Sequence, residues 1–276
     1  MREMIISRSV ISPVLILVGI FITLSSAEVK AVPSFARQTG MPCSTCHVQA
    51  FGPLLTSIGR NFKLSGYTDV NPDRTKFIPI TGMIRGSFTH TNNGQPGGAA
   101  DRFGPNNNAT IDEASIFYAG RITSKIGAFA QGTYDGVSNT GALDNTDIRF
   151  ANYADLAGNR LVYGVSVNNN PTVQDLWNTT PAWGFPWASS PLAPVPAAGL
   201  FIESLGSQVV GATVYTMWND MLYVEGGGYT SLPRNVQQGI GTFDAGQTGS
   251  MAVRLTGGWR YKTTGKAITV PSAPSA

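Results

Sequence analysis

Hydrophobic and polar positions alternate along most of the second half of the chain, as they do along β-strands. From Phe77 onward, stretches of about ten residues with this period of two are bounded by Gly, Asn, Asp and Pro. They predict eight strands, at Phe77–Thr89, Asp112–Thr123, Lys125–Tyr134, Asp144–Asp155, Arg160–Asn168, Gln208–Trp218, Met221–Thr230 and Met251–Lys262. The chain from 77 to 262 is therefore expected to form an antiparallel β-structure.

The predicted strands separate apolar from polar side chains. One strand places Leu161, Tyr163, Val165 and Val167 on one face and Arg160, Gly164, Ser166 and Asn168 on the other. Short turns such as Thr123-Ser124 alternate with long polar connections such as Thr91–Ala109. An outward apolar band, a polar interior and alternating short and long connections are typical of an outer-membrane β-barrel. A soluble β-sandwich gives a similar alternation, so both folds stay open on this pattern alone.

One long connection, Asn169–Leu200, is rich in aromatic residues and proline. It holds Trp177, Trp183, Phe185 and Trp187. Such a segment folds into a barrel lumen, lies at a membrane interface, or packs its rings on one another. The sequence leaves these three placements open.

The segment from 32 to 76 has a different pattern and predicts a short, partly helical module. Phe51, Leu54, Leu55, Ile58 and Phe62 recur at the spacing of one helix face. Pro53 is expected near the start of that helix, where a missing N–H costs nothing, and Gly66 at its C-terminal end. A module of about 45 residues is too small to enclose a large cofactor, so the strand-rich remainder is expected to cover it.

The N-terminus predicts export. Arg2 and Arg8 precede an apolar run from Val10 to Leu24, and small residues follow up to Ala27. This layout is that of a signal peptide spanning 1–27, with 1–31 as the alternative, and a retained membrane anchor as the other interpretation. The remaining chain divides into the module at 32–76, the strands at 77–262 and a polar tail at 263–276.

Composition supports a β-protein with long polar loops. The 276 residues include 32 Gly and 17 Pro, and only 13% are charged, against about 25% in an average soluble domain. The net charge is +3, which includes the arginines of the predicted signal peptide. No nucleic-acid partner is predicted from so small a charge.

The candidate chemistry lies in the module, at Cys43, Cys46 and His47. Two cysteines three positions apart with a histidine directly after the second form the attachment pattern of a c-type haem. Each thiol adds to one vinyl group, and the imidazole then binds the iron as the proximal ligand. The alternatives are a redox-active dithiol, which lacks the usual βαβ context, and a zinc site, for which only His90 remains as a second nitrogen ligand. One covalent haem c is predicted.

The residues around this motif resemble a known family. The approach Pro33-Ser34-Phe35-Ala36-Arg37-Gln38-Thr39-Gly40-Met41-Pro42, the motif itself and the exit Gly59-Arg60-Asn61-Phe62-Lys63 are similar to the cytochrome segment of fused outer-membrane cytochrome–porins of iron-oxidising bacteria. The resemblance implies a haem at or within the barrel mouth, thioether links at Cys43 and Cys46, and the proximal nitrogen at His47. It also implies electron flow from an external donor, ferrous iron in the best-known members, to a periplasmic carrier.

The chain differs from this family in the size of its predicted barrel. Those porins are longer, and an eight-stranded barrel has an interior that side chains already fill. The chain is therefore interpreted as a truncated barrel, a partial barrel that needs a partner, or a shorter relative.

The sixth iron ligand is a choice between Met83 and His90. Both lie on the first predicted strand, seven positions apart, so strict alternation turns them to opposite faces. The alternatives are that both are ordinary strand side chains or that the iron stays five-coordinate.

We expect electron transfer by an outer-membrane protein, with the periplasm as the alternative location. A passive porin with a haem plug or sensor is the second hypothesis. An enzyme with an open haem position, such as a peroxidase, is the third, although no acid–base pair or nucleophile is evident.

Overall fold

The computed structural model describes residues 33–49, 52–74, 76–180, 188–194, 203–241 and 252–259. The predicted signal peptide, the polar tail and the aromatic residues Trp183, Phe185 and Trp187 lie outside these ranges. In the described part of the chain, no helix combines the length and the apolar character needed to cross a membrane.

Eight strands form one antiparallel sheet in which each strand pairs with the next along the chain. They are β1 (Ile80–Thr89), β2 (Asn108–Arg121), β3 (Ile126–Asp135), β4 (Thr140–Leu156), β5 (Asn159–Asn168), β6 (Val209–Trp218), β7 (Leu222–Ser231) and β8 (Ala252–Trp259). The mainly β fold is confirmed. β1 and β8 are the two edges of this sheet, and no ladder joins them within the described strands.

Each predicted strand is present, and two of them begin four residues earlier than the sequence indicates. β2 begins at Asn108 because its first residue pairs with Thr89 at the end of β1. β4 begins at Thr140 because that residue pairs with Asp135 across a tight turn. Pairing between neighbours therefore extends both strands beyond the alternating pattern.

The helices are short. They are α1 (Pro33–Thr39), α2 (Cys43–Cys46), α3 (Ser57–Leu64) and α4 (Arg234–Gly239), with 3₁₀ turns at Pro72–Arg74, Pro171–Gln174 and Glu203–Leu205. The predicted start of a helix near Pro53 is wrong. His47 and Leu55 instead form an isolated antiparallel β-bridge, and Thr56 caps α3 by accepting a hydrogen bond from the N–H of Gly59 at 3.3 Å. Gly66 follows the helix with φ +69°, as predicted for its C-terminal end.

One face of the sheet exposes apolar side chains. Thirteen of them, all more than a third exposed, are Ile80, Ile84, Phe88, Ile111, Ile116, Tyr134, Ile148, Phe150, Tyr163, Val165, Val167, Val214 and Val224. They come from β1 to β7 and lie on the same side of the sheet in the register of the strands. We call this surface the outer face.

The opposite, inner face packs against the helices of the 32–76 module. One buried cluster joins Phe62 and Tyr67 to Phe117, Ala119 and Phe129 of the sheet. A second joins Leu64 to Val162, Tyr215, Met217 and Tyr223 of the sheet and to Leu176 of the β5–β6 connection. The inner face is therefore where the sheet holds the module.

Candidate haem-binding site

The two cysteines lie on a single helical turn. α2 runs from Cys43 to Cys46, and the N–H of His47 donates to the carbonyl of Cys43 at 2.8 Å. Residues three apart on a helical turn share one side, so both sulfurs belong to the same surface. Both are free thiols and half-buried. The turn thus offers two unpaired thiols at the spacing that a c-type haem requires.

The thiols do not have the character of a redox-active pair. Burial raises the pKa of the Cys46 thiol, and the neighbouring Cys43 raises it further. Dithiol active sites depend on a lowered pKa, because the thiolate is the reacting species. This environment therefore disfavours the dithiol interpretation.

The imidazole of His47 is held through Nδ1 and lies next to the backbone carbonyls of Gly52 and Pro53. Nδ1 lies 2.7 Å from the carbonyl oxygen of Gly52, and since that oxygen can only accept, Nδ1 carries the proton. Burial lowers the pKa of the His47 imidazole, which favours the neutral ring. A neutral ring with Nδ1–H held by a carbonyl presents the lone pair of Nε2, as metal-ligating histidines do.

A small network of backbone bonds holds the motif in place. His47 forms a β-bridge with Leu55, and the N–H of Val48 donates to the carbonyl of Leu54 at 2.8 Å. Thr56 donates twice to the motif, from its N–H to the carbonyl of Cys46 at 2.9 Å and from Oγ1 to the carbonyl of Thr45 at 2.6 Å. The residue that caps α3 therefore also anchors α2.

Gly59 allows α3 to pack directly on the motif. A Cβ atom at this position would lie 2.2 Å from the carbonyl oxygen of Cys46, far inside van der Waals contact. Next to it, Nη1 of Arg60 donates to the carbonyl of Leu55 at 2.7 Å. The Gly59-Arg60 pair of the exit motif therefore joins the helix to the loop that carries His47.

Exposed apolar side chains flank the haem motif and the segment hydrogen-bonded to it, and we call these four residues the rim. Met41, Val48, Leu54 and Ile58 are between 42% and 46% exposed, although all four are large hydrophobic residues. Leu54 and Ile58, expected on the buried face of a helix, are among them. A flat apolar macrocycle attached at the two thiols would cover such a surface and remove it from water. The donor set and the rim thus fit a covalently bound haem.

The approach motif joins the site to the sheet. Gln38 is fully buried; its Nε2 donates to the carbonyls of Tyr67 and Asp69, both at 2.7 Å, and its Oε1 accepts from the N–H of Arg121 at 2.9 Å. Nη2 of Arg37 donates to the carbonyl of Ile80 at 2.7 Å. These docking roles were missed from the sequence, because the partners lie 29 to 83 residues away.

The β5–β6 connection also reaches the site. Residues 171–177 fold over the inner face, and the carbonyl of Trp177 accepts the N–H of Leu55 at 3.1 Å. The Trp177 ring packs edge-on against Tyr223 with 6.1 Å between centroids. The described part of this loop therefore packs on the inner face of the sheet.

The two candidate sixth ligands lie far apart. Met83 is on the inner face and packs against the buried cluster that joins Phe62 of the module to Phe117 and Phe129 of the sheet. His90 follows the far end of β1 and its Nδ1 lies 2.8 Å from Oδ1 of Asn107. Arg37 of the module binds the carbonyl of Ile80, at the end of β1 that is opposite to His90. A strand of ten residues spans about 30 Å. Met83 is therefore the candidate on the module's side of the strand.

Across the described ranges, no three His, Cys, Asp or Glu side chains cluster in a way that could hold a metal ion. Comparisons of the sequence with protein-family models and with curated proteins, and of the structure with solved structures, found no match.

Proposed function

We propose that the chain is an exported c-type cytochrome that transfers electrons and whose sheet forms part of an outer-membrane β-barrel. Cys43 and Cys46 carry the haem through thioether links, and His47 supplies the proximal nitrogen. The observation that carries this proposal is the His47 ring, held through Nδ1, next to two free thiols on one helical turn, with exposed apolar side chains flanking the motif.

Each residue of the site then has a definite task. Gly52 orients the His47 ring, Thr56 and Gly59 hold the α2 turn against α3, and the rim excludes water from the bound group. Haem, when bound, supplies a one-electron couple at its iron. Met83, on the module's side of the sheet, is the proposed sixth ligand, and a methionine there raises the potential relative to a second histidine.

The outer face supports the membrane location. Thirteen large apolar side chains on one surface of a sheet far exceed the scattered exposed residues of a soluble domain. An apolar outward face with a polar inward face is the arrangement of outer-membrane barrels. The inward-folded 171–177 segment favours a housing for the module over an open solute channel. We further propose a periplasmic carrier as acceptor and, from the family resemblance, extracellular ferrous iron as donor.

The test is haem staining of denaturing gels run on isolated outer membranes. The wild-type chain and a Ser44→Ala control, altered at the exposed residue between the cysteines, are expected to give a stained band at the mass of the mature chain. The double variant Cys43→Ala/Cys46→Ala is expected to lose the stain but retain the protein band.

A wild-type protein without stain and without a Soret band would overturn the proposal. A stained band found only in the soluble periplasmic fraction would leave the cytochrome and remove the membrane barrel.

A further inference from the structure

Lys63 is a buried lysine on α3, the helix that packs on the haem motif. Lys63 is only 3% exposed, and its Nζ donates to the backbone carbonyl of Asp175 and to Oδ1 of Asn178, both at 2.8 Å. Lysine is among the residue types least often buried, because the ammonium loses its hydration. Apolar side chains of similar volume often replace buried charged groups without loss of stability. The buried amine therefore suggests a role beyond packing.

Two routes connect this amine to the site. Lys63 lies one helical turn after Gly59, whose backbone touches the carbonyl of Cys46. Its acceptors, Asp175 and Asn178, flank Trp177, whose carbonyl accepts the N–H of Leu55, the bridge partner of His47. Lys63 is therefore connected through backbone contacts to Cys46 and to His47, at the C-terminal end of the motif.

The charges around Lys63 come from three other elements. Arg149 and Asp147 belong to β4, Asp175 to the β5–β6 connection and Glu225 to β7. Burial lowers the pKa of the Lys63 amine most, Arg149 lowers it further, and the three carboxylates raise it, with a result of about 7. The amine thus gains and loses its proton near neutral pH, where a small change in local charge shifts its protonation.

We propose that Lys63 is a proton-binding site coupled to the redox state of the haem held by Cys43, Cys46 and His47. This inference rests on the proposed function. When the site gains one electron from its donor, the Lys63 amine takes a proton from water and forms one N–H bond. When the electron leaves, that proton returns to water. The proton offsets the added negative charge in a region with little water.

The test is a potentiometric titration of the purified holoprotein at several pH values across neutrality. The wild-type midpoint potential is expected to fall as pH rises, because a neutral Lys63 leaves an added electron uncompensated. The steepest slope is expected to approach about 59 mV per pH unit, the limit for one proton per electron. Lys63→Met is expected to remove this part of the slope. Lys125→Met, which removes an exposed lysine of the β2–β3 turn, is expected to keep it.

A second variant covers the case in which Lys63→Met does not accumulate. Lys63→Arg keeps a permanent charge, so its potential is expected to stay near the low-pH value of the wild type and to lose the slope. The coupling would be overturned if the variants kept the wild-type slope, or if the wild-type midpoint potential did not change with pH. A coloured protein would in that case still support the proposed cytochrome. A colourless wild-type protein would overturn both.

Discussion

The two faces of the sheet have opposite chemistry. The outer face exposes Val214 at 64% and Ile84 at 77%, whereas the inner face buries Arg149 at 0% and Glu225 at 1%. A water-soluble sheet that packs on one side has the reverse arrangement, with apolar residues inward and polar residues outward. The proposed membrane location accounts for this reversal, because an outer-membrane barrel turns its apolar face outward and its polar face inward.

The polar interior holds two groups of hydrogen-bonded side chains, one around Asp147 and one around Glu225. Asp147 accepts from Nε of Arg149 at 2.6 Å, from Tyr67 at 2.6 Å and from Ser166 at 2.7 Å. Glu225 accepts from Thr213 at 2.5 Å and from the hydroxyl of Tyr223. Buried charges are tolerated when they are paired and hydrogen-bonded in this way. The bond from Tyr67 to Asp147 therefore joins the module to the sheet through a polar contact, alongside the two apolar clusters.

The largest effect is expected from breaking the inner ion pair. Arg149→Leu leaves the buried Asp147 carboxylate without its cation, and removing one partner of a buried pair typically costs about 3–5 kcal/mol. Arg160→Leu is the control, because its pair with Asp220 is about half exposed at 3.8 Å and should be worth at most about 1 kcal/mol. Denaturant unfolding of the detergent-solubilised protein measures both. Equal, small losses would mean that water reaches the inner face.

A charge on the outer face is expected to have the next largest effect. Val214→Lys places an ammonium near the middle of β6, which costs about 2–4 kcal/mol if that surface faces the centre of a bilayer. Val236→Lys, on the exposed face of α4, is the matched control and should change stability by less than about 0.5 kcal/mol. Unfolding from lipid vesicles measures the difference. If Val214→Lys left the free energy of unfolding unchanged, the outer face would be in contact with water.

Strands were the part of the fold that the sequence predicted best. Alternation over about ten residues is a local signal, so the ranges of β5 and β6 agree with the structure to within a residue or two at each end. The start of α3 was missed because the deciding contacts, the bridge from His47 to Leu55 and the Thr56 cap, depend on tertiary packing of the loop.

The motif at Cys43, Cys46 and His47 was found from the sequence, but its supports were only partly visible there. Gly59 belongs to the quoted exit motif, yet its contact with Cys46 appears only when α3 folds back onto α2. Lys63 gave no local sign of burial, because its partners Asp175 and Asn178 lie 112 and 115 residues further along the chain. Long-range polar contacts leave no period in the sequence, so such residues need the structure.

The smallest of the expected differences concerns single hydroxyl groups on the two faces. Tyr67→Phe removes the donor that binds Asp147, and a hydrogen bond to a charged group is worth about 1.5–3 kcal/mol. Tyr163→Phe is the matched change on the outer face, where the hydroxyl accepts from Asn152 at an exposed position, and it should cost less than about 0.5 kcal/mol. Denaturant unfolding again gives both values. Tyr67 also packs on Phe35 and Phe62, and a phenylalanine ring keeps these contacts. A loss of stability in Tyr67→Phe alone would therefore come from the missing hydrogen bond to Asp147. Equal losses at the two positions would contradict the contrast between a dry, polar interior and an apolar exterior.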